Sequence, residues 1–262
     1  MKKSSLFVIA LMLLFQGSIS GDETKPNELH AVAAPHYTFV LVHGSSGGGW
    51  DWRTMDEILT ADGHTVYRPT LTGLGERVHL SNPDINLSTH TADIVNLILF
   101  EDLKDVVIVG HSYGGAVITG VMDRVPERIR HAIFLDALVP GDGMSVQDLR
   151  GDDPPWYRVE DGMMHFFWLD PEAPLPRDVP QSLKTYTEPV SFDNPAALQL
   201  PATFIAFVAP GQTIEQRSND PSWKQAEERG WAIQTLTSGH NAQRSHPHEL
   251  AAMLVAAPAE AD

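Results

Sequence analysis

Cysteine is absent from this 262-residue chain. That excludes a disulfide framework, a thiolate metal site and a cysteine nucleophile. Basic residues are scarce: 18 Lys and Arg stand against 34 Asp and Glu, for a formal charge of -16. So acidic a surface repels nucleic-acid phosphates and anionic lipid, so neither is an expected partner. Long apolar runs are missing too. The run Leu6 to Phe15 has ten residues, whereas a bilayer-spanning helix needs about 20. No internal repeat and no low-complexity block is found. What remains is ordinary globular material, 42% hydrophobic and 20% charged, enough to build one sizeable core in one domain.

The N-terminus reads as an export signal. Lys2 and Lys3 precede the short apolar run, and the small residues Ser18 and Ser20 follow it. This pattern predicts a signal peptide over residues 1–20, cleaved after Ser20, then a polar, flexible leader over 21–36. No cysteine follows for lipidation. The mature chain is expected to be periplasmic or secreted, with no membrane attachment after cleavage.

From residue 37 on, short apolar runs alternate with helical spacing. Strands are expected at Tyr37 to His43, Thr65 to Arg68, Val106 to Val109, Ala132 to Leu135, Thr203 to Val208 and Trp231 to Leu236. Helices are expected at Trp52 to Ala61, Ser88 to about Leu103 with Ser88 as cap and Ile94, Val95, Leu97, Ile98 and Leu99 as its buried side, Tyr113 to Val125, and Pro247 to Val255. Continuous apolar strands separated by helices imply a mostly parallel central sheet flanked by helices. Ligands in such sheets bind beyond the carboxyl ends of the strands. The residues there are Gly44-Ser45-Ser46, Ser112, Asp136, Pro210-Gly211 and His240. One stretch interrupts the alternation. Residues 138–201 carry nine prolines from Pro154 onward and many aromatics, and read as a cap without regular strands, folded over the strand ends.

The segment VVIVGHSYGG (Val106 to Gly115) sets Gly110-x-Ser112-x-Gly114 between a strand and a helix. A serine on so sharp a turn needs neighbours without side chains two residues away on both sides, and the turn lifts its hydroxyl above the sheet. Ser112 is therefore the candidate nucleophile. Its base must follow the last strand, which selects His240; His246 and His248 read as a helix entry or surface residues. His43 and His111 sit inside tight turns beside the site and are expected to orient backbone, while His64 reads as a plain loop residue. The acid partner is Asp136, directly after a buried strand where a carboxylate is costly unless paired, or Glu215, the first carboxylate after the strand Thr203 to Val208. Two backbone N–H donors would hold an oxyanion, those of Tyr113 and Ser45. Ser46, Trp50, Trp156, Phe166, Phe167 and Trp168 are candidates for the substrate pocket. Nothing in this chemistry needs a metal or an organic cofactor.

These residues together resemble the α/β-hydrolase superfamily, and within it the branch of plant methylesterases, hydroxynitrile lyases and their small bacterial esterase relatives. The stretches that carry the resemblance are FVLVHGSSGGGWDW, PTLTGLGER, VVIVGHSYGG, RIRHAIFLDALVP and SGHNAQRSHPHELAAML, spread from Phe39 to Leu254. The resemblance implies an α/β-hydrolase fold with a cap insertion. It also implies an ester hydrolase with Ser112 as nucleophile, His240 as base and the Ser45 and Tyr113 amides as oxyanion hole. Some bacterial members that this chain resembles cleave bulky hydrophobic esters, pyrethroid-type insecticides included. The expected partner is accordingly a small to medium hydrophobic ester. Two departures stand out. The plant enzymes carry their acid in the loop that here reads Pro210-Gly211-Gln212, whereas Asp136 matches the position used by haloalkane dehalogenases and some lipases. Dehalogenation itself needs a carboxylate nucleophile, which Ser112 is not. Hydroxynitrile lyases carry a lysine after the catalytic histidine and a threonine at the position of Gly44; Asn241 and Gly44 depart from both. A lyase on this scaffold and a non-catalytic ligand-binding homologue are the alternatives, and the oligomeric state is left open.

Overall fold

The computed structural model describes residues 35–151 and 155–259. The expected signal peptide and all but the end of the leader lie outside the described residues. From there the chain runs through β1 (Thr38–Val42), α1 (Arg53–Ala61), β2 (Thr65–Tyr67), α2 (Leu87–Phe100), β3 (Val106–His111), α3 (Gly114–Arg124) and β4 (Ile129–Leu135). The segment expected to form the cap follows, with α4 (Val146–Arg150), β5 (Tyr157–Glu160), β6 (Met163–Phe166), β7 (Gln181–Ser182) and α5 (Lys184–Thr187). The chain then returns through β8 (Ala202–Val208), α6 (Ile214–Arg217), α7 (Pro221–Glu228), β9 (Ala232–Thr237), α8 (Ala242–Ser245) and α9 (Pro247–Ala256).

The main sheet has six strands in the order β2-β1-β3-β4-β8-β9, every neighbouring pair parallel. Strand periodicity sorts its side chains onto two faces. Val40, Val42, Val106, Ile108, Phe134 and Phe204 face one core, shared with Ile94, Ile98, Val117 and Val121 of α2 and α3. Phe39, Leu41, Val107, Val109, Ile133 and Ile205 face the other, shared with Met55 and Leu59 of α1 and Leu250 and Leu254 of α9. Burial on both faces explains why β3 and β8 are apolar almost throughout, and each large side chain so buried contributes about 1.5–3 kcal/mol. The outer strands β2 and β9 are partly exposed, as edges are. Among the described residues, no helix is long and apolar enough to cross a membrane.

The structure amends the sequence reading in four places. The cap is more ordered than expected: β5, β6 and β7 form a separate three-stranded antiparallel sheet. Asn86, not Ser88, caps α2, its side chain accepting from the Thr89 N–H, while the Ser88 N–H donates to the Glu188 carboxylate of the cap at 2.7 Å. On the same helix Leu99 is exposed rather than buried. His64 is not a plain loop residue: it is buried, stacks on Tyr37 with centroids 5.7 Å apart and accepts the Tyr37 N–H at 3.2 Å.

Candidate active site

Because all six strands run the same way, the loops leaving β1, β3, β4, β8 and β9 share one rim of the sheet. Ser112 stands at the end of β3 with φ 54. This left-handed conformation is costly for any residue with a Cβ, by about 1–2 kcal/mol. Surrounding backbone imposes it. The Ser112 N–H donates to the Leu135 carbonyl at 3.1 Å, and its own carbonyl accepts from Gly115 and Leu138 at 3.0 and 2.9 Å. The flanking glycines are there for space. A Cβ on Gly110 would come within 2.6 Å of the Gly114 carbonyl oxygen, and one on Gly114 within 2.7 Å of that of Val42. Directly after the turn α3 begins, and its N-terminal dipole favours negative charge at the serine.

Asp136 follows the last residue of β4, also at positive φ, 42. One carboxylate oxygen accepts from His240 Nδ1 at 2.5 Å. The other accepts from Arg217 Nη2 at 2.6 Å and from the Phe207 N–H at 3.2 Å. Burial by itself would raise the Asp136 pKa, but the hydrogen bonds and charges of His240 and Arg217 outweigh it and hold the group at about 2. Arg217 is buried on α6, pinned by the Phe207 carbonyl and by Asp220. A buried charge of this kind persists because it is paired. Glu215, the alternative acid, is exposed on the same short helix.

His240 is itself braced from below. His111 Nε2 donates to the His240 carbonyl at 2.7 Å, which fixes the proton on that nitrogen, since a carbonyl only accepts. His111 Nδ1 faces Gln243 Nε2 at 3.5 Å, and Gln243 donates to the buried Asp51 at 2.9 Å. Asp51 also holds Arg244. His43 bridges backbone, with Nδ1 on the Gly44 carbonyl at 2.8 Å and Nε2 accepting the Leu71 N–H at 3.1 Å. Burial lowers the pKa of both His43 and His111, to about 4 for His111, where the nearby His240 adds to the effect. His246 shares hydrogen bonds with Ser245 and Ser238 at the start of α9.

Tyr113 follows the serine in the chain, and Ser45 lies in the loop after β1. Among the described residues neither backbone N–H donates to a backbone acceptor. A Cβ on Gly44 would lie 3.1 Å from the Ser112 Cβ, so the loop after β1 passes within contact distance of the nucleophile. The Tyr113 side chain is buried, its hydroxyl bonded to His90 Nδ1 at 2.9 Å, and burial raises its pKa well above the usual phenol value.

Ser112, Asp136 and His240 line one cavity of about 670 Å³. Ala137, Leu138, Trp156 and Phe207 give it an apolar wall, and Gln212, Gln216, Asn219 and Ser222 a polar one. Of the six residues expected to line the pocket, Trp156 does so. Phe166 is instead buried in the cap core, stacked on Trp168 with centroids 4.5 Å apart. Phe167 is 73% exposed on the outer surface. Trp168 turns its indole N–H to Ser46 Oγ at 3.1 Å, and Ser46 is fully buried behind it. Trp50 lies under the Arg244 guanidinium, 5.0 Å from its carbon. The aromatics are thus spent largely on holding the cap together. Arg217, Gln243 and the α6–α7 wall escaped the sequence reading, since no local pattern marks a side chain that acts only through partners far along the chain.

Comparison with known proteins agrees with this architecture. Residues 39–253 match the alpha/beta hydrolase family. A carbendazim-hydrolysing esterase of Nocardioides sp. (strain SG-4G) is 35% identical over 237 residues, 83% of this chain and 98% of the relative. Methylesterase 1 of Arabidopsis thaliana is 38% identical over 104 residues, a stretch covering 39% of this chain and 40% of the plant protein. Among solved structures, an extracellular alpha/beta-hydrolase from a Paenibacillus species superposes with a TM-score of 0.67 at 24% identity, over 84% of this chain and 98% of the other. The chain belongs to the alpha/beta hydrolase family.

Proposed function

We propose that this hydrolase is a serine carboxylesterase acting through an acyl-enzyme. Ser112 Oγ attacks the ester carbonyl while His240 takes its proton. The carbonyl oxygen, now an anion, rests on the Ser45 and Tyr113 N–H groups. The C–O bond to the alcohol breaks, and the alcohol leaves with the proton from His240. Water, deprotonated in turn by His240, then attacks the Ser112 ester and releases the acid. Asp136 keeps the His240 proton on Nδ1, leaving Nε2 free as base, and stabilises the imidazolium that forms.

One observation carries this reading: the 2.5 Å contact of His240 with a carboxylate that Arg217 also holds, on the same cavity as a serine in a strained turn. The named esterases among the relatives support it. The cavity volume and the Trp156 wall suit a small to medium ester with a hydrophobic part, and the Gln212, Gln216 and Asn219 wall suits a polar end. The N-terminal pattern and the extracellular relative support export, with residues 1–20 as the signal peptide, 21–36 as the leader and the cap over about 138–201.

The test is Ser112→Ala assayed with p-nitrophenyl butyrate. Turnover is expected to drop by roughly 10⁴-fold or more, the scale on which nucleophile loss acts in serine hydrolases. Turnover equal to that of the parent protein would end the proposal.

A further inference from the structure

The Ser45-Ser46 turn does not hold its own shape. Ser46 has φ 62, a left-handed conformation unfavourable for a serine, and it is fully buried. Its hydrogen bonds run almost wholly to the cap. The Ser46 N–H donates to Gln181 Oε1 at 2.9 Å. The Ser46 carbonyl accepts the Val179 N–H at 2.9 Å, and its hydroxyl accepts the Trp168 indole N–H at 3.1 Å. One residue earlier, Ser45 Oγ shares a 2.6 Å hydrogen bond with the Tyr186 hydroxyl. The Tyr186 ring then stacks on Tyr113, centroids 5.6 Å apart at 16°. A single cap residue therefore touches both residues whose N–H groups are read as the oxyanion donors.

The cap side of this contact is itself fixed. Gln181 is buried and its Nε2 donates to Thr185 Oγ1 at 2.8 Å, which in turn donates to the Ser182 carbonyl at 2.7 Å. The Gln181 amide thus has one orientation, oxygen toward the turn. Tyr186 is buried as well. None of these side chains lines the cavity that holds Ser112 and His240. They cannot serve by touching substrate there; Gln181 holds the Ser46 backbone and Tyr186 the Ser45 side chain.

We infer that the cap assembles the oxyanion hole: Gln181 and Tyr186 are positioning residues that hold the Ser45-Ser46 turn so that the Ser45 N–H faces the anion formed at Ser112. This rests on the acyl-enzyme reading above. Gln181 also occupies the Ser46 N–H, which removes it as a competing donor and leaves Ser45 as the donor of this loop. The cap is then part of the catalytic apparatus as well as a cover, and loosening it would weaken transition-state binding before it weakened substrate binding.

The experiment uses Tyr186→Phe, which removes one hydroxyl and keeps the ring stack, and Gln181→Met, which removes the acceptor at similar volume. Each is compared with the parent protein for turnover of p-nitrophenyl butyrate and for inhibition by an alkyl trifluoromethyl ketone and its methyl-ketone counterpart. With the fluorinated ketone, Ser112 Oγ bonds to the carbonyl carbon, its proton passes to His240, and the carbonyl π pair becomes an oxyanion. The methyl ketone only occupies the pocket. A weakened donor should lower kcat about tenfold and weaken the trifluoromethyl ketone about tenfold, somewhat less than loss of a whole donor costs. KM and methyl-ketone inhibition should stay within about twofold. Melting temperature is followed throughout, and if Gln181→Met does not fold, Tyr186→Phe decides. Unchanged kcat and unchanged trifluoromethyl-ketone inhibition, or equal losses for both ketones, would overturn the inference while Ser112→Ala still abolished turnover. Turnover surviving in Ser112→Ala would instead take down the acyl-enzyme reading on which it rests.

Discussion

His111 and His240 stand with ring centroids 4.7 Å apart, and their surroundings give them opposite work. His111 is 3% exposed and meets an uncharged carbonyl and an uncharged amide. The His240 side chain is 52% exposed at the cavity and meets the Asp136 carboxylate. Desolvation disfavours charge on the first. The pairing has a purpose. In the proposed mechanism His240 becomes imidazolium during the reaction and would be repelled by a second imidazolium in ring contact, so its neighbour has to stay neutral. Burial, which takes His111 down to about 4, secures that. On the proposed mechanism the same residue type serves as strut and as base, and the partner on the far nitrogen decides which.

The largest test of this contrast removes the charge behind His240. Asp136→Asn keeps the shape but allows the wrong tautomer, and kcat for p-nitrophenyl butyrate is expected to fall by roughly 10³–10⁴-fold. Glu215→Gln, on the exposed face of α6, should stay within about twofold of the parent protein. Equal losses in both variants would return the acid role to Glu215. A smaller effect is expected from the strut. His111→Leu removes the donor to the His240 carbonyl and should lower kcat about tenfold by letting the imidazole wander. His111→Gln, whose amide can reach the same carbonyl, should recover most of the loss; failure of Gln to outperform Leu would deny His111 this role. The smallest effect is on stability. A histidine with its folded pKa lowered from 6.5 to about 4 stays neutral in the native chain while the unfolded chain takes up a proton. Its stabilisation is whole above pH 6.5 and drains away as the pH falls toward 4. Urea titrations should show stability declining over that window, and less steeply in His111→Gln. His43, His64 and His90 are lowered by burial too, so part of the slope should remain.

Much of the rim was legible in the sequence because local constraints write it there. Gly110 and Gly114 are dictated by contacts of under 3 Å with nearby backbone, and apolar runs mark the strands that deliver Ser112, Asp136 and His240. Asp136 could be singled out because an isolated carboxylate at the end of a buried strand demands a partner. The identity of that second partner could not. Arg217 lies 81 residues away, in a helix whose own spacing says nothing of it. The cap was the least legible part. Its aromatics suggested a pocket, but an aromatic side chain packs on other aromatics as readily as on a ligand: Phe166 stacks on Trp168 and lies tilted against the buried Tyr186. Gln181 gave no signal at all, since its role exists only once a loop 135 residues away is laid against it.

Three residues with side chains, Ser46, Ser112 and Asp136, are held at positive φ within this one rim. Each sits where glycine would rest more comfortably, by about 1 kcal/mol. Replacing Ser112 by glycine should therefore yield a protein that melts later and does nothing. Selection for heat resistance alone would drift toward that inert form, and any programme to harden this enzyme must screen for turnover at every round.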